Sequence, residues 1–210
     1  MSEPDPFSDP PTPTARGDRD GRRRDVLAAA TSILEESGWE GLSIRAVASR
    51  AGVSTGAVYQ WFSGKDEIFG ELMAHEIRAG LDLIERVPTE SFPATVRLML
   101  DWVTDLYERL GRYELEFAEA STGRTDREIA AGVDATYLEL GKRADELLDR
   151  AAANDGIELI QHEYRVTWFW AGCVGTAERL ALSPQIFFGE TREELLQLAC
   201  DSLVRSLVAR

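Results

Sequence analysis

The chain has 210 residues, 44% of them hydrophobic, enough for one or two domains with a sizeable buried core. Its formal net charge of −14 argues at first against a nucleic-acid partner, but the acid is unevenly spread: residues 1–14 carry −3, residues 15–65 carry +2 and residues 66–210 carry −13. No apolar run approaches the roughly 20 residues needed to cross a bilayer and no apolar signal region is seen, so a cytoplasmic, membrane-free protein is expected.

Residues 1–21 read as a disordered tail, with Pro4, Pro6, Pro10, Pro11 and Pro13 and little that is apolar. After its Pro-rich first 14 residues come Arg16, Arg19 and then Arg22-Arg23-Arg24, either as a solvated linker or as an arm that touches DNA phosphates or the minor groove. The pattern is then helical almost throughout. Val26, Ala30, Ile33, Leu34 and Ser37 repeat at helix spacing, and Gly38 suits the end of that helix. Ser43 suits an N-cap, and Ile44, Val47, Ala48 and Ala51 form one apolar face of a short second helix. Gly52 falls where a helix end favours a left-handed residue. Ser54 caps a third helix with Val58 and Phe62 inward, and Ser63 with Asp66 resembles a capping box that opens a fourth helix to about Glu85. Pro88 and Pro93 punctuate a loop, and five further helical patterns break near Gly111, Gly123, Gly156 and Pro184. Strand-like alternation is absent, so an all-α fold is expected.

Ser54 supports two chemistries. Gly52-Val53-Ser54-Thr55-Gly56 fits G-x-S-x-G, the elbow that presents a catalytic serine on a strand–turn–helix. The preceding residues form a capped helical face rather than a strand, and no catalytic constellation emerges, so no catalytic residue is expected. The same residues fit a helix-turn-helix, whose second helix enters the major groove. Thr55 and Tyr59, and Gly56 and Gln60, are then outward i, i+4 pairs. Gly56 removes a side chain where the helix start approaches the groove, Gln60 can pair with an adenine edge, and Thr55 can contact a base or a thymine methyl. Arg45 stands on the non-core side of the second helix, and Lys65 opens the fourth helix as a phosphate contact.

The stretch GWEGLSIRAVASRAGVSTGAVYQWFSGKDEIF resembles the DNA-binding region of the tetracycline-repressor (TetR) family. Gly38-Trp39 matches the glycine-aromatic pair that ends helix 1 there, Ser43 the cap of helix 2, and Ala51-Gly52-Val53-Ser54 the A-G-V-S turn. Thr55 through Phe62 matches x-G-x-x-Y-x-(H/Y)-F, and Lys65-Asp66-Glu67-Ile68 matches K-(E/D)-x-L. Trp61 departs from the usual His or Tyr, and an indole donates one hydrogen bond and accepts none. The resemblance covers roughly 50 residues and implies a DNA-binding set of Ser43, Arg45, Ser54, Thr55, Gly56, Tyr59, Gln60, Trp61 and Lys65, with Tyr59 on a phosphate.

Residues 22–68 are then a helix-turn-helix domain, and residues 69–210 a helical ligand-sensing and dimerisation domain. Within VTWFWAGCVGTAERLAL, the residues Ala171, Gly172, Gly175, Thr176 and Ala177 are small. The apolar stripe Trp170, Cys173, Val174, Ala177 and Ala181 and the last-helix residues Leu196, Ala199 and Leu203 either fill the chain's own core or pair with a second copy. The resemblance implies the second, a homodimer on a palindromic double-stranded operator. It also implies a pocket for an unidentified small-molecule effector among Trp102, Phe117, Tyr137, Trp168 and Phe169, although core packing competes for each. Cys173 and Cys200 read as buried thiols of a reducing compartment, and two histidines without a Cys/His cluster imply no metal and no cofactor. The expected protein is a ligand-responsive transcriptional regulator, most readily a repressor. A helical binding or interaction protein without operator affinity is the alternative.

Overall fold

The computed structural model describes residues 19–86, 91–113, 126–182 and 189–209. Among them are eight α-helices and no strand: α1 (Arg19–Gly41), α2 (Ile44–Arg50), α3 (Thr55–Val58), α4 (Lys65–Arg86), α5 (Phe92–Arg109), α6 (Asp126–Asn154), α7 (Arg165–Leu182) and α8 (Arg192–Leu207). Two compact units arise: Met1–Met73 with Leu115–Ala130, and Ala74–Glu114 with Ala131–Arg210. The boundaries expected at 21/22 and 68/69 fall inside α1 and α4, because helical chain runs through both points.

In the first unit, α1 is broken at Gly38, whose φ of 67° no other residue type adopts cheaply. The break sets Trp39 edge-on to Phe69, with ring centroids 5.2 Å apart. Arg22, Arg23 and Arg24 lie within α1 rather than in an arm, and Arg23 reaches Glu71 at 3.2 Å and the Phe62 ring face at 5.4 Å. Val26, Ile33, Leu34, Val47, Val58, Phe62, Ile68 and Phe69 are buried together as the core of this unit. The Ser63 backbone N–H donates to the Glu67 carboxylate ahead of α4.

In the second unit, Pro93 lies in the first turn of α5 rather than in a loop, where its missing N–H costs nothing. Ser91 caps that helix, and the Phe92 N–H donates to Asp155 at 2.7 Å. Gly156, at φ 67°, closes α6 with the Ile157 N–H on the Ala152 carbonyl at 2.8 Å. Thr191 and Glu194 form a reciprocal capping box at the start of α8. Leu100, Leu147, Leu148, Phe169, Cys173 and Leu196 share one core. Arg165, the first residue of α7, is buried and bonds Asp145 at 2.6 Å and Asp149 at 2.9 Å on α6. An isolated antiparallel bridge joins Leu159 to Val208. Among the described residues, no helix is long and apolar enough to cross a membrane.

Candidate functional site

The turn between α2 and α3 is determined by three residues. The Ser43 hydroxyl accepts from the Ala46 N–H at 3.2 Å, and the Ser54 hydroxyl accepts from the Ala57 N–H at 3.1 Å, so each serine satisfies an orphan donor at a helix start. Between them Gly52 has φ 66°, and its N–H and that of Val53 bond the carbonyls of Ser49 and Ala48 at 3.4 and 3.0 Å. This is a Schellman ending, and it turns the chain sharply enough for a second helix to start two residues later. Ser54 follows a helix rather than a strand, and its hydroxyl is committed to capping. The strand–turn–helix that a nucleophile elbow requires is therefore not what the chain forms here.

α3 continues past Val58 in tightening turns, with Phe62 N–H on the Val58 carbonyl at 3.0 Å. Val58 and Phe62 bury one side of this segment. Ser54, Thr55, Gly56, Tyr59 and Gln60 are exposed on the other, Tyr59 to 60%. Ser43 and Arg45 are exposed at the start of α2. An exposed tyrosine and glutamine held by buried neighbours form a rigid polar ridge with an aromatic tip. Arg50, also exposed, is engaged in a two-pronged pair with Glu36 at 2.7 and 2.6 Å. That bond holds the Glu36 carboxyl below the usual range.

Trp61 and Lys65 are placed differently from the other candidates. The Trp61 indole nitrogen is buried without an acceptor among the described residues, so its one N–H does not face outward. Lys65 lies over the Trp39 ring at 4.4 Å and donates to the Trp39 carbonyl at 3.3 Å, tying the start of α4 to the broken end of α1.

The second unit holds a cavity of about 710 Å³ between α5, α6 and α7. Its walls are Trp102, Val103, Leu106, Tyr107, Tyr137, Leu138, Leu140, Gly141, Lys142, Val166, Thr167, Trp170 and Val174. Trp102 and Tyr137 of the expected pocket set line it; Phe117 lies outside the described residues. Trp168 and Phe169 do not line it. Three successive aromatics on α7, each about 100° on from the last, point three ways: Trp168 outward at 60% exposure, Phe169 into the core and Trp170 into the cavity. Trp102 and Trp170 meet edge to face at 6.3 Å. Tyr107, one of the aromatics of the middle helices, lines the cavity as well, whereas Lys142 carries only one faint sequence signal, being one of only two lysines in the chain.

The stripe expected at a dimer contact divides in the same way. Cys173, Ala177, Leu196 and Leu203 are buried in the chain's own core. Trp170 and Val174 line the cavity, and Ala181 and Ala199 are half-buried. The reason is that α7 is apolar on more than one face. The exposed face is Trp168, Ala171 and Gly175, with Tyr164 just before the helix and Leu198 and Ser202 on α8. Trp168 Nε1 donates to Ser206 Oγ at 3.3 Å, which joins the two helices along this face. Where α7 and α8 touch, a methyl on Gly172 would meet Leu203 at 2.6 Å. Cys173 and Cys200 are free thiols; burial pushes Cys173 well above the ordinary thiol range and raises Cys200 as well. No group of three metal-ligating side chains occurs among the described residues.

Residues 26–72 match the model of the bacterial regulatory proteins, tetR family. The HTH-type transcriptional repressor KstR of Rhodococcus jostii is 29% identical over 133 residues, 62% of this chain and 59% of that protein. The HTH-type transcriptional regulator PksA of Bacillus subtilis is 26% identical over 115 residues, 53% of this chain and 56% of its own. The chain thus spans less than two thirds of the length of these curated relatives. Among solved structures, a transcriptional regulator from Rhodococcus sp. Rha1 shares 25% identity at a TM-score of 0.64, over 88% of this chain and 97% of that one. The FadR regulator from Bacillus subtilis, solved in complex with stearoyl-CoA, shares the fold at a TM-score of 0.57 and 16% identity, over 87% of this chain and 97% of that one.

Proposed function

The chain belongs to the tetR family of bacterial regulatory proteins, and on that premise we propose that it is a ligand-responsive, sequence-specific DNA-binding transcriptional repressor acting in the cytoplasm as a homodimer. The observation that carries the reading is the exposed ridge Thr55, Gly56, Tyr59 and Gln60, held against a buried Val58 and Phe62 and started by the Ser54 cap. A side chain offers base discrimination only if its backbone is fixed, and the two capped serines and the left-handed Gly52 supply that rigidity. In this reading Gln60 and Thr55 meet base edges, while Tyr59, Arg45 and the helix starts at Ser43 and Ser54 meet phosphates.

Two copies of the ridge, related by a two-fold axis, read a palindromic operator. The face Tyr164, Trp168, Ala171 and Leu198 supports the dimer, because its small residues admit a close helix and its exposed aromatics gain from being covered. The cavity supports an effector site. A ligand that binds better to the conformation holding the operator weakly lowers operator affinity by that difference in binding energy.

Selection of bound sequences from a random duplex library, with purified protein and no added ligand, tests the proposal. A two-fold symmetric consensus is expected, with an affinity that falls steeply with salt. Recovery of no consensus would turn the reading toward a small-molecule-binding or interaction protein.

A further inference from the structure

The chemistry of the cavity is more specific than its volume. In a chain with 37 acids and a net charge of −14, no Asp or Glu lines it among the described residues. The one charged lining residue is Lys142. Nearby cations are differently placed: Arg143 holds Glu139 at 2.7 Å, and Arg165 holds Asp145 and Asp149. Lys142 is exposed, and no carboxylate among the described residues pairs with it. The walls add donors rather than anions. The indole nitrogens of Trp102 and Trp170 have no acceptor among the described residues, and Gly141 leaves room beside Trp170, whose Nε1 would lie 3.7 Å from a methyl at that position.

We propose that this cavity takes an apolar ligand bearing a single carboxylate, with the Lys142 ammonium as its counter-ion and the indole walls against its apolar body. The proposal rests on the reading of the cavity as the effector site and names the class of effector. A cationic ligand would meet Lys142 and no acid. A neutral one would gain the apolar walls alone, leaving the ammonium to water. An anion gains both, because the exposed ammonium adds a charge-assisted hydrogen bond, partly screened by solvent, to the contact with the apolar walls. A volume of about 710 Å³ fits a body of drug-like size, either fused rings or a folded alkyl chain, and both sources share the carboxylate.

The test is direct binding to the full chain, read by calorimetry and by quenching of tryptophan emission, with four probes: 2-naphthoate, its neutral amide, 2-naphthylmethylammonium and decanoate. Carboxylates are expected to bind about fivefold to tenfold more tightly than the amide, the worth of one partly screened charged contact. Lys142→Met should bring 2-naphthoate and its amide to one affinity, and Lys142→Glu should reverse the preference toward the ammonium. Both variants change an exposed side chain and should keep the melting temperature of the parent. The relative affinity of 2-naphthoate and decanoate separates ring from chain. Equal binding of carboxylate and amide, a preference for the ammonium, a preference that survives Lys142→Met, or binding of no probe would overturn the proposal. Carboxylate binding through Lys142 without any change in operator affinity would uphold the ligand class while overturning the effector reading.

Discussion

Replacing Gly56 by alanine separates what the fold needs from what DNA reading needs. Gly56 is the second residue of α3 and is not among the glycines with positive φ. An added Cβ would find the Ser54 Oγ as its nearest neighbour, at 3.9 Å, which is ordinary contact. Folding alone therefore favours alanine. Glycine costs about 0.8–1 kcal/mol inside a helix, and about half of that applies in the first turn, where water already serves the free N–H groups. For a chain of this size, a gain of about 0.5 kcal/mol raises the melting temperature by about 1–2 °C. The new methyl stands on the exposed side with Gln60, one turn on. If DNA packs against the bare Cα, the methyl holds the ridge off the groove and strains several contacts at once, at a cost of about 1–3 kcal/mol, or roughly five- to 150-fold in affinity. Thermal unfolding and fluorescence anisotropy on a selected duplex give the two numbers for one protein. A higher melting temperature with undiminished affinity would refute the close approach at Gly56; a lower melting temperature would place its role in the fold.

Gly52→Ala should act in the opposite way: its added methyl meets nothing within 4 Å, so the cost is the left-handed backbone alone, about 1–2 kcal/mol in thermal unfolding, partly recovered by Gly52→Asn. Trp168→Glu combined with Leu198→Glu changes residues that are 60% and 59% exposed in the single chain, so the folded protein should persist as a monomer in sedimentation, and a dimer that survives would remove this face as the interface. Acid stability carries a defined sign. Arg50 holds Glu36 below the glutamate reference of 4.5, Arg97 holds Glu193 below it, and the Thr191 backbone and side chain hold Glu194 below it. Their contribution is full above that reference and is lost as pH falls through the lowered values, while Asp105, raised by desolvation, opposes them. The melting temperature should decline below about pH 4.5, and Arg97→Gln should make that decline shallower, since it removes the bond that lowers Glu193.

The sequence was most legible where a local rule acts over a few residues. Ser43, Ser54 and the left-handed Gly38, Gly52 and Gly156 are fixed by bonds that each helix end must make within its own turn, so their residue types announce them. The exposed ridge followed from the same logic, because Val58 and Phe62 leave only one side for Tyr59 and Gln60. Periodicity was less informative on α7. There Phe169, Cys173 and Ala177 face the core, Trp170 and Val174 the cavity, and Trp168, Ala171 and Gly175 the outside, and all three stripes read as apolar. Hydrophobic spacing identifies a buried stripe but not what buries it. Trp61 and Lys65 illustrate a second limit. Each lies in a stretch that reads as contact surface, yet one turns its nitrogen inward and the other is drawn to Trp39 by a ring that lies 26 residues away along the chain.

The central claim is that the ridge from Thr55 to Gln60 reads base sequence, and the most direct test repeats the duplex selection with Gln60→Ala beside the parent protein. Gln60 is exposed, so the substitution should leave the fold intact. The expected result is a consensus unchanged except at one or two base pairs in each half-site, where discrimination falls by about 1–3 kcal/mol each, symmetrically about the centre. A consensus identical to the parent's at every position would contradict the account, because the exposed amide would then contribute nothing to the sequence that is read.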